Sequence, residues 1–345
     1  MTKLVFITQQ VDPRHPALAA TVPKIRALAE LVDEVVVLAD GAVDGVLPGN
    51  CRVRTFRARF KALRGARFET ALAREVRGLR RGGAVVAHMC PIYAVLAAPL
   101  VRPAGVPLVL WFTHWRSSRL LQLAERASTA VTSVDERSFP LPSEKLRAIG
   151  HGVDLEEFPC SEPRAGDGMR LLALGRYSTA KGLDVVVAAV PLAGPDVTLD
   201  VHGPSLSDDE LAHRAELEQL VGELGLEERV TIGDPLPRAD IPSLFATHDA
   251  LVNNLRAGAP DKVVYEAAAS CLPVLASNPI FDELLDPAQR FPRFDARALA
   301  ERIQNVAALS AEERTALGHR LRERVAAGHS VRSWARGIVD AAGIS

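Results

Sequence analysis

The chain has 345 residues, of which 48% are hydrophobic and 24% charged. Two domains are expected, because single hydrophobic cores stop growing at roughly 250–300 residues. The formal net charge of -1 and the isoelectric point near 6.8 argue against nucleic acid as the principal partner. No apolar run approaches the ~20 residues that would span a bilayer.

The first eight residues read as a β-strand and lack the apolar core of a signal peptide. The four cysteines, Cys51, Cys90, Cys160 and Cys271, are far apart and form no C-x-x-C pair. We therefore expect reduced thiols and a cytoplasmic protein.

Short β-branched or aliphatic runs alternate with helical patterns along the whole chain, which predicts an α/β fold with parallel sheets. In the first half, the helices assigned lie at residues 17–31 and 68–81. The strands are predicted at residues 4–8, 34–39, 52–56, 84–88, 108–112, 130–133 and 146–149.

Residues 160–168 are rich in proline, glycine and charge, after which the pattern restarts. This predicts domains at 1–160 and 161–329. Neither G-x-G-x-x-G nor a Walker A sequence occurs. Helices of the second half are predicted at 183–190, 207–224 and 261–269, and strands at 169–174, 197–202, 229–232 and 250–253.

The strongest local motif spans residues 174–182, Leu-Gly-Arg-Tyr-Ser-Thr-Ala-Lys-Gly, between the first strand and the first helix of the second domain. Ligands of open α/β sheets bind at the carboxyl ends of the strands. Arg176 offers a bidentate fork and Lys181 a compact charge, a combination suited to a diphosphate. The alternative is an exposed loop with two solvated charges.

A second motif spans residues 256–276. Pro260 and Asp261 are good helix-start residues, so free N–H groups there would favour an anion. Glu266 follows about one turn later and could accept both hydroxyls of a ribose. The alternative is a solvent-facing glutamate paired with Lys262 at i, i+4.

Taken together, the ordered motifs resemble the donor domain of glycosyltransferase family 4, the retaining GT-B enzymes also called glycosyl transferases group 1. Residues 150–158, Gly-His-Gly-Val-Asp-Leu-Glu-Glu-Phe, resemble the family's Asn-Gly-Val-Asp stretch. The resemblance implies two Rossmann-like doubly wound domains facing across a cleft. The motifs that carry it are Gly175-Arg176, Lys181, His202-Gly203, residues 230–233, Asp261-Lys262, Glu266-Ala267 and residues 272–274.

The resemblance also implies roles. Arg176 and Lys181 match the pair that holds the donor pyrophosphate, and Glu266 matches the second glutamate of the E-x7-E motif, which binds the ribose. Gly258 stands where the first glutamate, a ligand of the donor sugar, belongs. Asp261 and Lys262 resemble a variant of some family branches, with Lys262 as a replacement sugar contact.

Histidines complete the predicted site. The run 108–114, Leu-Val-Leu-Trp-Phe-Thr-His, is a strand that ends in His114, at a carboxyl end. His114 matches the acceptor-domain histidine that the family directs at the donor sugar. The alternative is a capping or core histidine beside Trp111 and Trp115. His151 replaces the family's asparagine and is expected to contact the donor. His88 fits a structural position.

The resemblance implies a retaining transferase that moves a hexose from a nucleoside-diphosphate sugar to a sugar, glycolipid or small-molecule acceptor. No D-x-D occurs, so metal independence and no cofactor are expected. A nucleotide-sugar 2-epimerase of the same fold and a catalytically silent nucleotide-sugar-binding protein are the alternatives. The segment 330–345 resembles the family's C-terminal crossover helix, which packs on the first domain.

Residues 52–81 hold eleven Arg or Lys against two Asp or Glu, interleaved with apolar residues. Such a stretch suits peripheral contact with an anionic membrane, at the inner membrane face, and a lipid-linked acceptor. An Arg-rich solvated helix is the equal alternative.

Overall fold

The computed structural model describes residues 2–15, 18–80, 82–164 and 166–344. The chain divides into two compact units. Unit 1 comprises Met1–Asp154 and Gly328–Ser345, and unit 2 comprises Leu155–Ala327. The boundary therefore precedes the predicted 160/161 position, and the last segment begins before residue 330.

Unit 1 is built on a seven-stranded parallel sheet with the strand order β3-β2-β1-β4-β5-β6-β7. Its central strands are continuous apolar runs because helices cover both faces. The strands are β1 Lys3–Val11, β2 Glu34–Ala42, β3 Cys51–Thr55, β4 Gly83–His88, β5 Leu108–Trp111, β6 Ala130–Ser133 and β7 Leu146–Ala148.

The helices of unit 1 are α1 Thr21–Ala29, α2 Lys61–Leu79, α3 Pro91–Val101, α4 Arg119–Ala127 and α11 Val331–Ala342. α1 is shorter than predicted, and residue 17 of that prediction lies outside the described residues. α2 begins before the predicted residue 68 because Lys61 to Arg67 are mostly good helix formers. α11 begins after Ser330, whose side chain accepts the N–H of Ser333.

Unit 2 carries a five-stranded parallel sheet with the order β10-β9-β8-β11-β12. The strands are β8 Met169–Leu174, β9 Val197–His202, β10 Val230–Gly233, β11 Ala250–Asn253 and β12 Val274–Ala276. The helices are α5 Leu183–Ala193, α6 Asp208–Glu223, α7 Ile241–Ala246, α8 Lys262–Ala269, α9 Ala296–Ala307 and α10 Ala311–Gly328.

The strand order of unit 2 reverses between β8 and β11. Chain connections run from β8 to one side through β9 and β10, and from β11 to the other side through β12. Loops at such a reversal diverge and leave a crevice at the carboxyl ends of the two strands. The loop after β8 and the loop before α8, which contain both predicted motifs, thus lie next to each other.

The cysteine prediction is wrong for one pair. Cys160 and Cys271 form a disulfide with their Cα atoms 4.9 Å apart, although 111 residues separate them in sequence. Local spacing could not reveal the pair, because the fold of unit 2 alone brings them together. Cys51 and Cys90 are free thiols, and burial raises their pKa values to about 11 and about 12.

Within the described residues, no helix combines the length and the apolar character that crossing a bilayer requires.

Candidate functional site

Lys181 is held at the end of β8 by the turn that follows the strand. Gly175 has φ 133°, a conformation that favours glycine, and the Lys181 ammonium lies directly over it. Lys181 Nζ donates to the carbonyl oxygen of Leu174 at 3.1 Å. Gly182, with φ 55°, ends the short 3-10 turn and begins α5. The side chain of Lys181 is only 13% exposed, so the solvated alternative does not describe it.

The Lys181 ammonium forms an ion pair with Asp261, which belongs to the neighbouring loop. The same Oδ2 atom of Asp261 accepts a hydrogen bond from Asn253 Nδ2 at 2.7 Å. Asp261 immediately precedes α8 but makes no side-chain cap to that helix. Two residues that the sequence assigned to the site are therefore in direct contact at the strand-order reversal.

Hydrogen bonds to backbone carbonyl oxygens fasten the two loops to each other. Asn254 Nδ2 donates to the Gly182 oxygen at 2.9 Å, and the Arg256 N–H donates to the Ala180 oxygen at 3.0 Å. Arg293 spans both loops, donating to the Ala180 oxygen at 3.0 Å and to the Asn254 oxygen at 3.2 Å. Asn254, Arg256 and Arg293 thus hold the loop that carries Lys181 against the loop that leads into α8.

Arg176 points to a different element from Lys181. Its guanidinium pairs with Glu210 of α6 at 3.1 Å, and its side chain is 57% exposed. Glu210 is largely buried and also accepts the Leu206 N–H at 2.7 Å. Arg176 and Lys181 thus point to different partners. To bind the same ligand as Lys181, Arg176 would have to break its ion pair with Glu210.

Glu266 is buried inside a cluster of charges. It is 5% exposed, and its Oε1 atom accepts from Lys262 Nζ at 2.8 Å and from Arg238 Nη1 at 2.9 Å. The alternative prediction, a solvent-facing Glu266 paired with Lys262, is correct for the pair and wrong for the solvent exposure. The face of α8 that carries Glu266 is buried. A carboxylate with two fixed cationic partners has a defined orientation.

Arg238 is the residue that the sequence analysis missed. It lies just before α7 and also contacts Glu157, with Nε to Oε1 at 2.6 Å and Nη2 to Oε2 at 2.8 Å. Burial lowers its pKa, but Glu266 and Glu157 outweigh that effect and hold the pKa above the ordinary value. No local motif marks Arg238, because its two partners are 81 and 28 residues away.

Gly258 adopts φ 78°, a backbone conformation that favours glycine. Lys262, the expected replacement, is engaged with Glu266.

His114 lies in unit 1, in the loop after β5. Its Nδ1 atom accepts the Arg116 N–H at 3.0 Å, and its ring stacks on Trp115 with the centroids 5.5 Å apart. Desolvation, followed by the charge of Arg116, lowers the pKa of His114. The ring is exposed rather than part of the core, and the neutral form carries its proton on Nε2.

His151 and His88 are both buried in unit 1. His151 is 9% exposed and sits between Gly150 and Gly152, which have φ values of 78° and 77°. His88, at the end of β4, stacks against Trp111, and burial lowers its pKa well below the ordinary value. His88 thus occupies a core position, in agreement with its predicted structural role.

Gly203 provides a test of the β8 turn. A Cβ atom at this position would collide with the carbonyl oxygen of Gly175. We expect Gly203→Ala to destabilise unit 2 by about 1–3 kcal/mol, as overpacking does, and to displace Lys181. Urea unfolding followed by far-UV circular dichroism measures the loss.

The matched control is Gly222→Ala within α6, where the nearest atom to a new Cβ is Glu227 Oε1 at 3.8 Å. This variant should be neutral or stabilise the protein by up to about 1 kcal/mol, because alanine is the better helix former. Equal stabilities of the two variants would contradict the tight contact between Gly203 and Gly175.

Comparison with known proteins agrees with this architecture. Residues 156–324 match the family model described as glycosyl transferases group 1. A D-inositol 3-phosphate glycosyltransferase of Mycobacterium marinum is 29% identical over 170 residues, which cover 45% of this chain and only 36% of that protein's length.

Two solved structures extend the likeness to the whole chain. Anabaena Alr3699/HepE in complex with UDP superposes with a TM-score of 0.74 at 20% identity, covering 98% of both chains. A sucrose-phosphate synthase from Thermosynechococcus elongatus gives a TM-score of 0.74 at 19% identity, covering 99% of this chain and 98% of that one. The predicted fold, two Rossmann-like α/β domains of the GT-B type, is confirmed.

Proposed function

We propose that this chain, whose residues 156–324 match the group 1 glycosyl transferases, transfers a hexose, with retention and without a metal, from a nucleoside-diphosphate sugar. The acceptor is a sugar, a glycolipid or a small molecule. Unit 2 binds the donor and unit 1 the acceptor. The observation that carries the proposal is the pair of loops at the β8–β11 reversal, where Lys181 and the start of α8 lie together.

Lys181 and Arg176 would bind the diphosphate. Transfer of the sugar leaves a nucleoside diphosphate, and a cation already in place where that charge develops stabilises the transition state. In the structure, Asp261 balances Lys181. The donor diphosphate would share Lys181 with Asp261 and draw the exposed Arg176 away from Glu210, while the N–H groups that begin α8 face the same anion.

Glu266 would accept the ribose hydroxyls. Lys262 and Arg238 both engage its Oε1 atom. These contacts fix the carboxylate before the nucleotide arrives, which lowers the entropic cost of binding. Since Gly258 lacks a side chain, His151, Lys262 and His114 are the candidates for contacts to the sugar.

The test is a panel of UDP-, GDP- and other nucleoside-diphosphate sugars, with and without membrane extract, in which nucleotide release is measured in EDTA. Release stimulated by an acceptor supports transfer. Binding without release under every condition would instead favour the silent nucleotide-sugar-binding protein, which the absent glutamate at Gly258 keeps as the second candidate. Release that requires a divalent metal would contradict the metal-independent mechanism.

His114 is proposed to contact the donor sugar from unit 1. We expect His114→Ala to lower kcat by about 10²-fold, within the range for a positioned polar group, while nucleotide affinity is unchanged. Because desolvation and the charge of Arg116 hold the pKa of His114 below that of an unperturbed histidine, the activity that depends on the neutral ring should be lost only at a lower pH than an unperturbed imidazole would give. A variant with wild-type kcat and the same pH profile would remove His114 from the site.

We also propose that the start of α2 contacts anionic lipid, which suits a lipid-linked acceptor. Phe60 is 64% and Leu63 46% exposed, beside Lys61 and Arg59. Three other cations of the segment pair with carboxylates: Arg52 with Glu34, Arg54 with Glu75 at 3.0 Å, and Arg64 with Asp40 at 3.1 Å. Residue 81 lies outside the described residues.

We expect the double variant Phe60→Ser/Lys61→Ser to reduce co-sedimentation with vesicles rich in phosphatidylserine by about tenfold, since an apolar anchor and one charge of about 1 kcal/mol are lost. Arg80→Ser, which removes an exposed charge at the other end of α2, is the control. Absence of wild-type binding to anionic vesicles would support the solvated-helix alternative.

A further inference from the structure

In the described residues, one cysteine and histidine grouping has the composition of a metal site, and the donor site proposed above uses none of its three residues. Cys160 Sγ, Cys271 Sγ and one ring nitrogen of His319 lie within 4.8 Å of one another. In the structure the two sulfurs are joined as a disulfide. Cys160 and His319 are exposed, and Cys271 is buried. The group is therefore reachable from solvent.

Three chain segments supply the ligands, and contacts other than the disulfide hold those segments together. Arg322 of α10 donates to the carbonyl oxygens of Phe158 at 2.6 Å, of Leu155 at 3.2 Å, and of Ala269. These acceptors precede Cys160 and Cys271. Arg322 thus fastens both cysteine segments to the helix that carries His319.

Two further contacts fix the positions of the ligands themselves. The Ser161 N–H donates to the Ser270 oxygen at 3.1 Å, one residue from each cysteine. Gly318 packs so closely on Cys271 that a Cβ atom at residue 318 would collide with the Cys271 oxygen. Because His319 follows Gly318, this approach places its side chain beside the sulfurs.

We propose that the reduced protein binds one thiophilic divalent cation, such as Zn²⁺, through Cys160, Cys271 and His319. Two thiolates and an imidazole are ligands that zinc prefers, and three protein ligands leave a fourth position for water. The hydrogen bonds of the Arg322 guanidinium and of the Ser161 N–H to backbone oxygens would retain this arrangement after reduction. The disulfide and the metal are then alternative states of the same sulfur pair.

The chemistry balances as two steps. An external dithiol gives two electrons to the Cys160–Cys271 bond; the dithiol becomes a disulfide and its two protons pass to the cysteine sulfurs. Binding of the cation then releases both thiol protons as the thiolates coordinate, so affinity should rise with pH. The step needs no oxidant, and the transferase activity proposed above has no part in it.

Co²⁺ is a suitable probe, because thiolate coordination gives it a near-ultraviolet charge-transfer band that oxygen ligands do not give. The full chain is reduced with a phosphine, desalted under nitrogen and titrated with Co²⁺, then with Zn²⁺ in competition. We expect one Co²⁺ per reduced chain with a thiolate band, displaced by Zn²⁺, and no band in the oxidised chain.

His319→Ala leaves the disulfide intact and is the main variant. Its reduced form should bind Co²⁺ more weakly by at least the roughly 10–100-fold that loss of a supporting residue causes at metal sites. Cys271→Ser should weaken the thiolate band and the affinity further. Cys51→Ser, which removes a free thiol in unit 1, is the matched control and should bind as wild type does.

Several outcomes would overturn the proposal. A reduced wild-type chain without the thiolate band, or a His319→Ala chain with unchanged affinity, shows that the three groups do not act together. Loss of the far-UV circular dichroism of the reduced chain shows that Arg322 and Ser161 do not hold the segments without the disulfide. Loss of the band in Cys51→Ser would place the metal elsewhere.

Discussion

Lys181→Met is expected to lower kcat/KM by about 10²–10³-fold, the loss typical of one preorganised group that stabilises developing charge. The substitution keeps the aliphatic stem that lies over Gly175 and removes only the ammonium. Asp261 then remains next to the diphosphate without its counter-charge and repels it, which adds to the loss. Release kinetics on the donor identified by the sugar panel, together with nucleotide affinity by calorimetry, measure the effect.

Arg170→Met is the matched control for Lys181→Met. Arg170 lies on the same strand, β8, but near its opposite end, where it pairs with Asp200 at 3.2 Å and is 43% exposed. Its removal should leave kcat/KM within about twofold, since exposed ion pairs contribute little. Equal losses in the two variants, or a Lys181→Met enzyme as active as wild type, would place the diphosphate elsewhere.

Arg238→Met has the second largest expected effect, on stability and on nucleotide binding together. The substitution removes the ion pairs of the Arg238 guanidinium with Glu157 and with Glu266. We expect a loss of about 2–3 kcal/mol, less than for a fully buried pair because Glu157 is 32% exposed and Lys262 still pairs with Glu266. Nucleotide affinity should fall roughly tenfold as Glu266 loses its fixed orientation.

The stability change can be assigned to unit 2. All three tryptophans, Trp111, Trp115 and Trp334, lie in unit 1. In urea, Arg238→Met should therefore shift the transition seen by far-UV circular dichroism but not the one seen by tryptophan fluorescence. Arg290→Met, which breaks the exposed Arg290–Asp282 pair, should cost at most about 1 kcal/mol. A fluorescence shift, or equal costs for the two arginines, would contradict the assignment.

The sequence indicated the proposed donor site because the parts of that site are local. Lys181 lies in the turn that follows a predicted strand, and Asp261 and Glu266 lie at the start of one predicted helix. The local pattern therefore predicts the position of each residue within its own element. The fold class also predicts that both motifs lie at one edge of the sheet, since the carboxyl ends of parallel strands meet there. The structure adds that Lys181 pairs with Asp261 and that Arg176 pairs with Glu210.

Two features were beyond a local pattern. Arg238 is in a short segment without a motif, and its importance comes from carboxylates that precede and follow it at long range. The Cys160–Cys271 bond spans 111 residues, a separation at which cysteine spacing carries no information about pairing. The wrong prediction of four reduced thiols has this cause.

The sequence by itself determined the alternation of strands and helices, the α/β class and the residues at the ends of the strands, because hydrophobic periodicity and turn chemistry act over a few residues. Only the tertiary structure decided the ionic partners of those residues, the burial of Glu266 and the grouping of Cys160, Cys271 and His319. Such contacts depend on the packing of segments that are far apart in the chain, which local patterns do not reveal. Burial then strengthens the interactions between the charges that packing brings together.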